Sequence, residues 1–450
     1  MKFELIIRNG SVVTPSGIFR WDIGVKNGKI AQIADALPQD GDAVREIDAS
    51  GLHIFPGLID SHVHFDEPGN AHREGFLTGS SSVAASGVTT FFDNPVTSFP
   101  PVTTPEAAEL KIEAASKNSV IDYGILGGLA PDNWDQLEAL KKKGVMGFKG
   151  FMSQNTGLKE FGYLDDMSLI GGLDQLAKIE GIAILHAENE AICSYLKAKH
   201  TAEEKKTFAD YAASRPIISE VEAVRRAAVF AEITGCRVHI FHASSREVTE
   251  AVKEAKSRGV KITVETCPHY LCLTVQDMPK LMGATCAPPL RPISSVESMW
   301  EAVRVGDVDT IGSDHSSMPL PGKRWGGLSG GQSTLSVLLT EGYHKRGIAL
   351  ERIAAVTSLN PASLFGLYPQ KGTIAVGSDG DFALVNLEEE FVLSKEMLLD
   401  SHSHSQYLGK AFRGAVKYTI SRGEVVYENG KITCRPGRGR RVTPLHENSD

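Results

Sequence analysis

Apolar positions along the 450-residue chain change rhythm twice. Near the N-terminus, FELIIRNGSVV and DIGVKNGKIAQI alternate apolar and polar residues around Asn9-Gly10 and Asn27-Gly28. A period of two reads as strands with one buried face. Asn-Gly reads as a hairpin turn, because both residues accept positive φ. The C-terminal end repeats the pattern in GDFALVNLE and AVKYTISRGEVVYENGKI, with a turn at Asn429-Gly430. Two β-rich ends flanking one large middle predict a small β domain built from both.

The middle has a different pattern. Eight apolar runs succeed one another: HIFPGLIDSHVHF, GVTTFFDNP, DYGILGGLA, GVMGFKGFM, GIAILHAEN, CRVHIFHAS, KITVETCPHY and DVDTIGSDHS. Helix-like stretches separate them, such as PEAAELKIEAASKN, SEVEAVRRAAVFAEITG and SREVTEAVKEAKSRG. Continuous apolar runs alternating with amphipathic helices argue for buried parallel strands in βα units. Eight of them suit a closed (β/α)8 barrel, and an open doubly wound sheet is the alternative. No G-x-G-x-x-G opens a helix after a strand, so a dinucleotide site is unsupported.

Composition adds exclusions. The length allows about three domains, although a barrel of ~250 residues counts as one. A formal charge of −8 argues against a nucleic-acid binder, which carries a basic face. The 44 Gly suit many strand–loop–helix junctions. None of the six Cys forms a C-x-x-C pair, so they read as free, mostly buried thiols in a reducing compartment. MKFELIIRNG lacks the apolar core of a signal peptide, and no apolar stretch is long enough to cross a membrane. The expectation is a cytoplasmic protein with no membrane partner. The tail CRPGRGRRVTPLHENSD reads as a solvated, partly disordered end rather than a nucleic-acid arm.

The 14 His then change the picture, because several stand at the C-terminal ends of the runs, where barrel active sites are built. His62 and His64 end the first run, two apart and so on one face of a strand. Lys149 stands near the end of the fourth. Its bland reading is a snorkelling lysine. A buried lysine of lowered pKa instead reacts with carbon dioxide, and the carbamate brings two oxygens that bridge two metals. His186 ends the fifth run. The sixth holds His239 and His242, three apart. His242 is the preferred ligand, because small residues follow it as at a loop, and His239 is assigned to the core. Asp314 ends the eighth run, where a carboxylate binds metal and takes a proton from water. His402-Ser403-His404 follows no apolar strand and reads as a loop without metal.

With these residues assembled, the chain resembles the amidohydrolase superfamily, in its cyclic amidase branch of allantoinases, hydantoinases (dihydropyrimidinases) and dihydroorotases. The resemblance rests on PGLIDSHVHFDEPG, GFKGF, ILHAEN, FHASS, ETCPHY, APPLRP, IGSDHS and KGTIAVGSDGDFALV, spread over nearly the whole chain. It implies a TIM-like (β/α)8 barrel at 55–367 and a small β-sandwich formed by 1–54 and 368–450. It further implies two divalent metals, zinc by default, with cobalt, manganese or iron also suited. His62, His64 and Asp314 would hold the more buried metal, His186 and His242 the more exposed one, and carboxylated Lys149 would bridge them. The implied reaction is hydrolysis of a cyclic amide by a hydroxide between the metals, with Asp314 as general acid and base. A homotetramer is implied as well.

Departures inside the branch choose the substrate. Dihydroorotases read H-x-H-x-R, where the Arg pairs with the substrate carboxylate; here Asp66 holds that place and would repel it. Ala287 stands where they tend to have Asn, and Met318 where they commonly have His. FDEPG, SDHS and GLSGGQS (Gly327 to Ser333) resemble allantoinases. No Tyr follows Lys149 in Phe151-Met152-Ser153-Gln154-Asn155, unlike hydantoinases. The expected substrate is a small cyclic ureide, allantoin first and other hydantoins or dihydropyrimidines second. Asp66, Ser316, Ser317, Ser329 and Gly330 are the candidate substrate contacts. Some relatives lack ligands and act as interaction proteins; this chain keeps every ligand position.

Overall fold

The computed structural model describes residues 2–38, 43–154, 161–204, 207–281, 284–319 and 325–445. Asn155 and the last five residues of the tail lie outside them.

The eight apolar runs form a closed (β/α)8 barrel. Leu58–His64, Val88–Asp93 and Asp122–Ile125 pair in parallel. Phe148–Phe151, Ile182–His186, Arg237–Ile240 and Ile262–Thr266 continue the parallel order. Two segments close the ring. The third run pairs backward through Asp122–Ile125 and forward through Gly127–Gly128. The eighth pairs with the seventh through Thr310–Ile311 and with the first through His315–Ser316. Ile59, Phe92, Leu126, Met146, Ile184 and Phe241 share an apolar cluster with Phe365 and Leu367.

Local signals set the helices. Pro105–Asn118 starts at Thr104, whose side chain accepts the Ala107 N–H, and has Pro at its first turn. Arg246–Ser257 buries Val248, Ala251, Val252 and Ala255, one stripe of a 3.6-residue period. Ile217–Thr234 ends at Gly235, with φ +72°.

Both chain ends meet in a nine-stranded sheet, the β-sandwich beside the barrel. His53–Pro56 joins them, parallel to Phe3–Thr14 and antiparallel to Phe382–Val392. Leu5, Ile7, Val25 and Ile54 from one end pack with Phe382, Leu384 and Ile420 from the other.

Two expectations need correction. Asn27-Gly28 and Asn429-Gly430 do turn hairpins. Asn9-Gly10 does not. It lies within Phe3–Thr14 as a bulge in the pairing with Gly17–Lys26, with Asn9 at φ +62°. Asn9 donates to Asp22 and Asp48 at 3.0 Å each, and a Cβ on Gly10 would meet Ile54 at 2.3 Å. Packing, not turning, needs that pair. The described part of the tail, which runs to Leu445, is also packed rather than solvated. Tyr123 N–H donates to Arg440 at 3.0 Å, and Val442 N–H to Tyr123 at 2.8 Å, so it lines the Asp122–Ile125 strand.

Buried charges tie the barrel to the sandwich. Lys371, 2% exposed, lies 2.8 Å from Asp122, 2.7 Å from Asp381 and 3.1 Å from Asp379. Arg422 adds a second cation 3.1 Å from Asp122. Lys371→Met leaves buried carboxylates short of a partner and is expected to cost about 3 to 5 kcal/mol. Lys117→Ala removes an exposed helix pair with Glu113 and is expected to leave the denaturation midpoint nearly unchanged. Urea titration of both variants checks this contrast, and equal midpoints would refute it.

Candidate metal centre

Three ligand atoms converge where the barrel closes. His62 Nε2 lies 3.0 Å and His64 Nε2 3.1 Å from the same Asp314 oxygen, Oδ1. Behind His62, Nδ1 lies 2.8 Å from Glu265 Oε1, and Ser61 donates to the other Glu265 oxygen at 2.7 Å. Asp60 fixes the junction by accepting from His62 N at 3.2 Å and Ser313 N at 3.0 Å. Gly312 is required for close approach, since a Cβ there would meet Glu265 Oε2 at 2.5 Å and His62 Cβ at 2.9 Å.

A second pair stands beside this group. His186 Nδ1 faces His242 Nε2 at 3.0 Å, and the His62 and His242 rings are 5.4 Å apart. His186 Nε2 lies 2.7 Å from Glu188, which in turn pairs with Arg215. Two imidazoles thus have a carboxylate behind them, His62 with Glu265 and His186 with Glu188. Such a carboxylate fixes the tautomer and leaves the opposite nitrogen a lone pair for a metal.

Lys149 belongs to the same place. Its Nζ lies 4.3 Å from the Phe241 ring centre and 5.1 Å from that of Phe151. Phe241 stacks on His62, and Phe151 on His186, so Lys149 stands between the two histidine groups. The lysine is 1% exposed.

Burial sets the protonation states. It lowers Lys149 to about 7 and His64 to about 4, and it also lowers His186 and His242. Neutral imidazoles are the form that binds metal. Burial opposes charge on Asp314 too, but His62 and His64 hold it well below the usual carboxylate range. Burial would raise Glu188 as well, yet Arg215 and His186 bring it down to about 2.

The donor set is nitrogen and carboxylate oxygen, with His64 Nδ1 and His242 Nδ1 buried and unpartnered among the described residues. That chemistry suits a first-row divalent cation. His62, His64 and Asp314 form one group of facing ligand atoms, and His62, Glu265 and Cys267 form another.

Other sequence candidates fall in mixed places. Ser316 pairs in register with His64, and Ser317 is fully buried with no partner for its hydroxyl among the described residues. Ser329 donates to Asp400 at 2.9 Å, and Gly330 abuts Gln406. Asp66 is buried against Arg73 at 2.8 Å. His239 is held by Thr263 at 2.8 Å and Thr310 at 3.3 Å, with Phe365 against its ring. His402 and His404 lie in a loop turned on Asp400. Sequence reasoning passed over Glu188, Glu265 and Cys267. Glu265 stood at the end of an apolar run, the same signal that marked the histidines.

A model of the amidohydrolase family matches residues 53–426. An allantoinase of Deinococcus radiodurans is 45% identical over 99% of each chain. An allantoinase of Escherichia coli K12 is 38% identical over 95% of this chain and 96% of its own. The solved L-hydantoinase (dihydropyrimidinase) of Arthrobacter aurescens superposes with a TM-score of 0.95 at 34% identity, over 98% of this chain and all of that one.

The geometry separates the two histidines of the sixth run. His242→Ala is expected to lower bound metal from about two ions per chain towards about one. His239→Ala is expected to keep the metal and lower the melting temperature, because it empties a core position. Elemental analysis beside thermal unfolding checks both, and equal metal loss would show the wrong imidazole was chosen.

Proposed function

We propose that this chain, which belongs to the amidohydrolase family and is a cyclic amidohydrolase, opens the hydantoin ring of allantoin to give allantoate. The reading rests on one observation above the rest: the allantoinase of Deinococcus radiodurans is 45% identical to it over 99% of its length. The Asp66–Arg73 pair adds support, since an acid stands where dihydroorotases have the carboxylate-binding Arg. Hydantoinase-like solved structures favour a second reading, hydrolysis of other hydantoins or dihydropyrimidines.

His62, His64 and Asp314 would hold one divalent ion, His186 and His242 the other, with carboxylated Lys149 between. Zinc is the proposed metal. Carboxylation is supported by a buried amine with no carboxylate in ion-pairing distance among the described residues. Two such ions, when bound, make water acidic enough to attack at neutral pH and polarise a carbonyl. The chain's own groups do the rest. Glu265 and Glu188 hold the His62 and His186 rings in one tautomer. Asp314 takes the proton of the attacking water and returns it to the leaving ring nitrogen. Water adds across the C–N bond, and the product carries a new carboxylate and a freed ureido nitrogen. Asp66, Ser316, Ser317, Ser329 and Gly330 are the proposed substrate contacts; the Ser329 hydroxyl also donates to Asp400, and the Asp66 carboxylate pairs with Arg73.

Side-by-side turnover of allantoin, hydantoin, dihydrouracil and dihydroorotate tests the substrate. Allantoin is expected to lead, and a clear preference for dihydrouracil or plain hydantoin would transfer the assignment to the second reading. Asp314→Asn is expected to retain part of the metal while losing about 10²- to 10⁴-fold in kcat. A near-normal rate would remove Asp314 as the proton carrier.

A further inference from the structure

His269 is unusual among the buried histidines. It is 1% exposed, yet among the described residues neither Nδ1 nor Nε2 meets a hydrogen-bond partner. A buried polar group left unpaired costs about 1 to 3 kcal/mol, so its retention calls for a reason. The backbone around it is clamped. The Tyr270 hydroxyl donates to Pro288 at 2.5 Å, Trp300 Nε1 donates to the Leu271 carbonyl at 2.7 Å, and Leu273 N–H donates to the His269 carbonyl at 2.9 Å. The backbone that carries the imidazole is therefore fixed, and the described residues make no use of its nitrogens.

Its place is the mouth of the barrel. The turn Pro268–Leu271 follows the strand Ile262–Thr266, which carries Glu265. Cys267, two residues before His269, faces His62 and Glu265. The charged groups acting on His269 are Asp314 and His62. His269 nevertheless belongs to neither group of converging ligand atoms. His239, by contrast, has both nitrogens satisfied by Thr263 and Thr310.

We propose that His269 binds the substrate, one ring nitrogen forming a hydrogen bond to a C=O or N–H of the cyclic ureide and so orienting its scissile amide beside Asp314. This rests on the cyclic-ureide reading of the site. The test uses the full-length, metal-loaded enzyme and whichever of the four cyclic ureides the wild type turns over best. His269→Leu is expected to keep the wild-type metal content and to lose at least about tenfold in kcat/KM, mainly through KM. His269→Asn brings an amide nitrogen near the position of Nδ1, and His269→Gln near that of Nε2. One of the two is expected to recover part of the loss and so identify the nitrogen used. Three results would each overturn the proposal. They are wild-type KM and kcat in His269→Leu, metal loss that tracks activity, or losses in all three variants that match only the fraction unfolded. If the wild type prefers a ureide other than allantoin, the allantoin assignment fails while His269 is still judged on the preferred substrate.

Discussion

A single carboxylate oxygen organises this molecule. Asp314 Oδ1 draws in His62 and His64, the latter 250 residues away in sequence. Only closure of the barrel brings those segments together. The closing register sets His315 against Val63 and Ser316 against His64, and Asp60 locks it by accepting from both sides of the seam. Because side chains alternate along a strand, a one-residue slip would turn the paired histidines away from the carboxylate. Completing the ring and bringing His62, His64 and Asp314 together are thus one structural event.

Behind that seam, the protein solves a charge problem. A buried imidazole is neutral by default, as His64, His186 and His242 are, and neutral rings rotate and tautomerise unless held. Glu188 holds His186, and Glu265 holds the neighbouring His62. Each carboxylate has a further partner, Glu265 in Ser61 and Glu188 in Arg215. The aromatic faces of Phe241 and Phe151 then enclose Lys149 and exclude water around it. Low polarity weakens the ammonium, and a neutral amine is the form that reacts with carbon dioxide. The apolar and ionic parts of the site are continuous: the rings that disfavour charge on Lys149 are stacked on the His62 and His186 imidazoles.

Much of this was legible in the sequence, for a definite reason. A barrel places active groups at the C-terminal ends of its strands, so His62, His64, Lys149, His186, His242 and Asp314 could be picked out by position alone. The supporting carboxylates follow the same rule, but a lone Glu after ITV carries no pattern comparable to H-x-H. Asn9-Gly10 misled because a bulge and a hairpin both use positive φ, and only the packing of Ile54 distinguishes them. The tail misled because its partner, the Asp122–Ile125 strand, is more than half the chain away. Contacts of that range leave no local periodicity.

The sixth strand shows where alternation itself stops applying. His239 and His242, three apart, would face opposite sides of a continuous strand. The strand ends at Ile240, and His242 stands beyond it at φ +46°. Asp314 does the same beyond Thr310–Ile311, at φ +50°. Non-glycine residues in the left-handed region cost about 1 to 3 kcal/mol each and persist only where their surroundings hold them. Here the surroundings are the facing ligand atoms and the parallel strands on either side. Leaving the two-residue alternation redirects both side chains into the same small volume. Gly312 then supplies the space that a Cβ would take from Glu265 and His62. The strain falls on residues whose directions the site requires, and the regular strands beneath them supply the stability that sustains it.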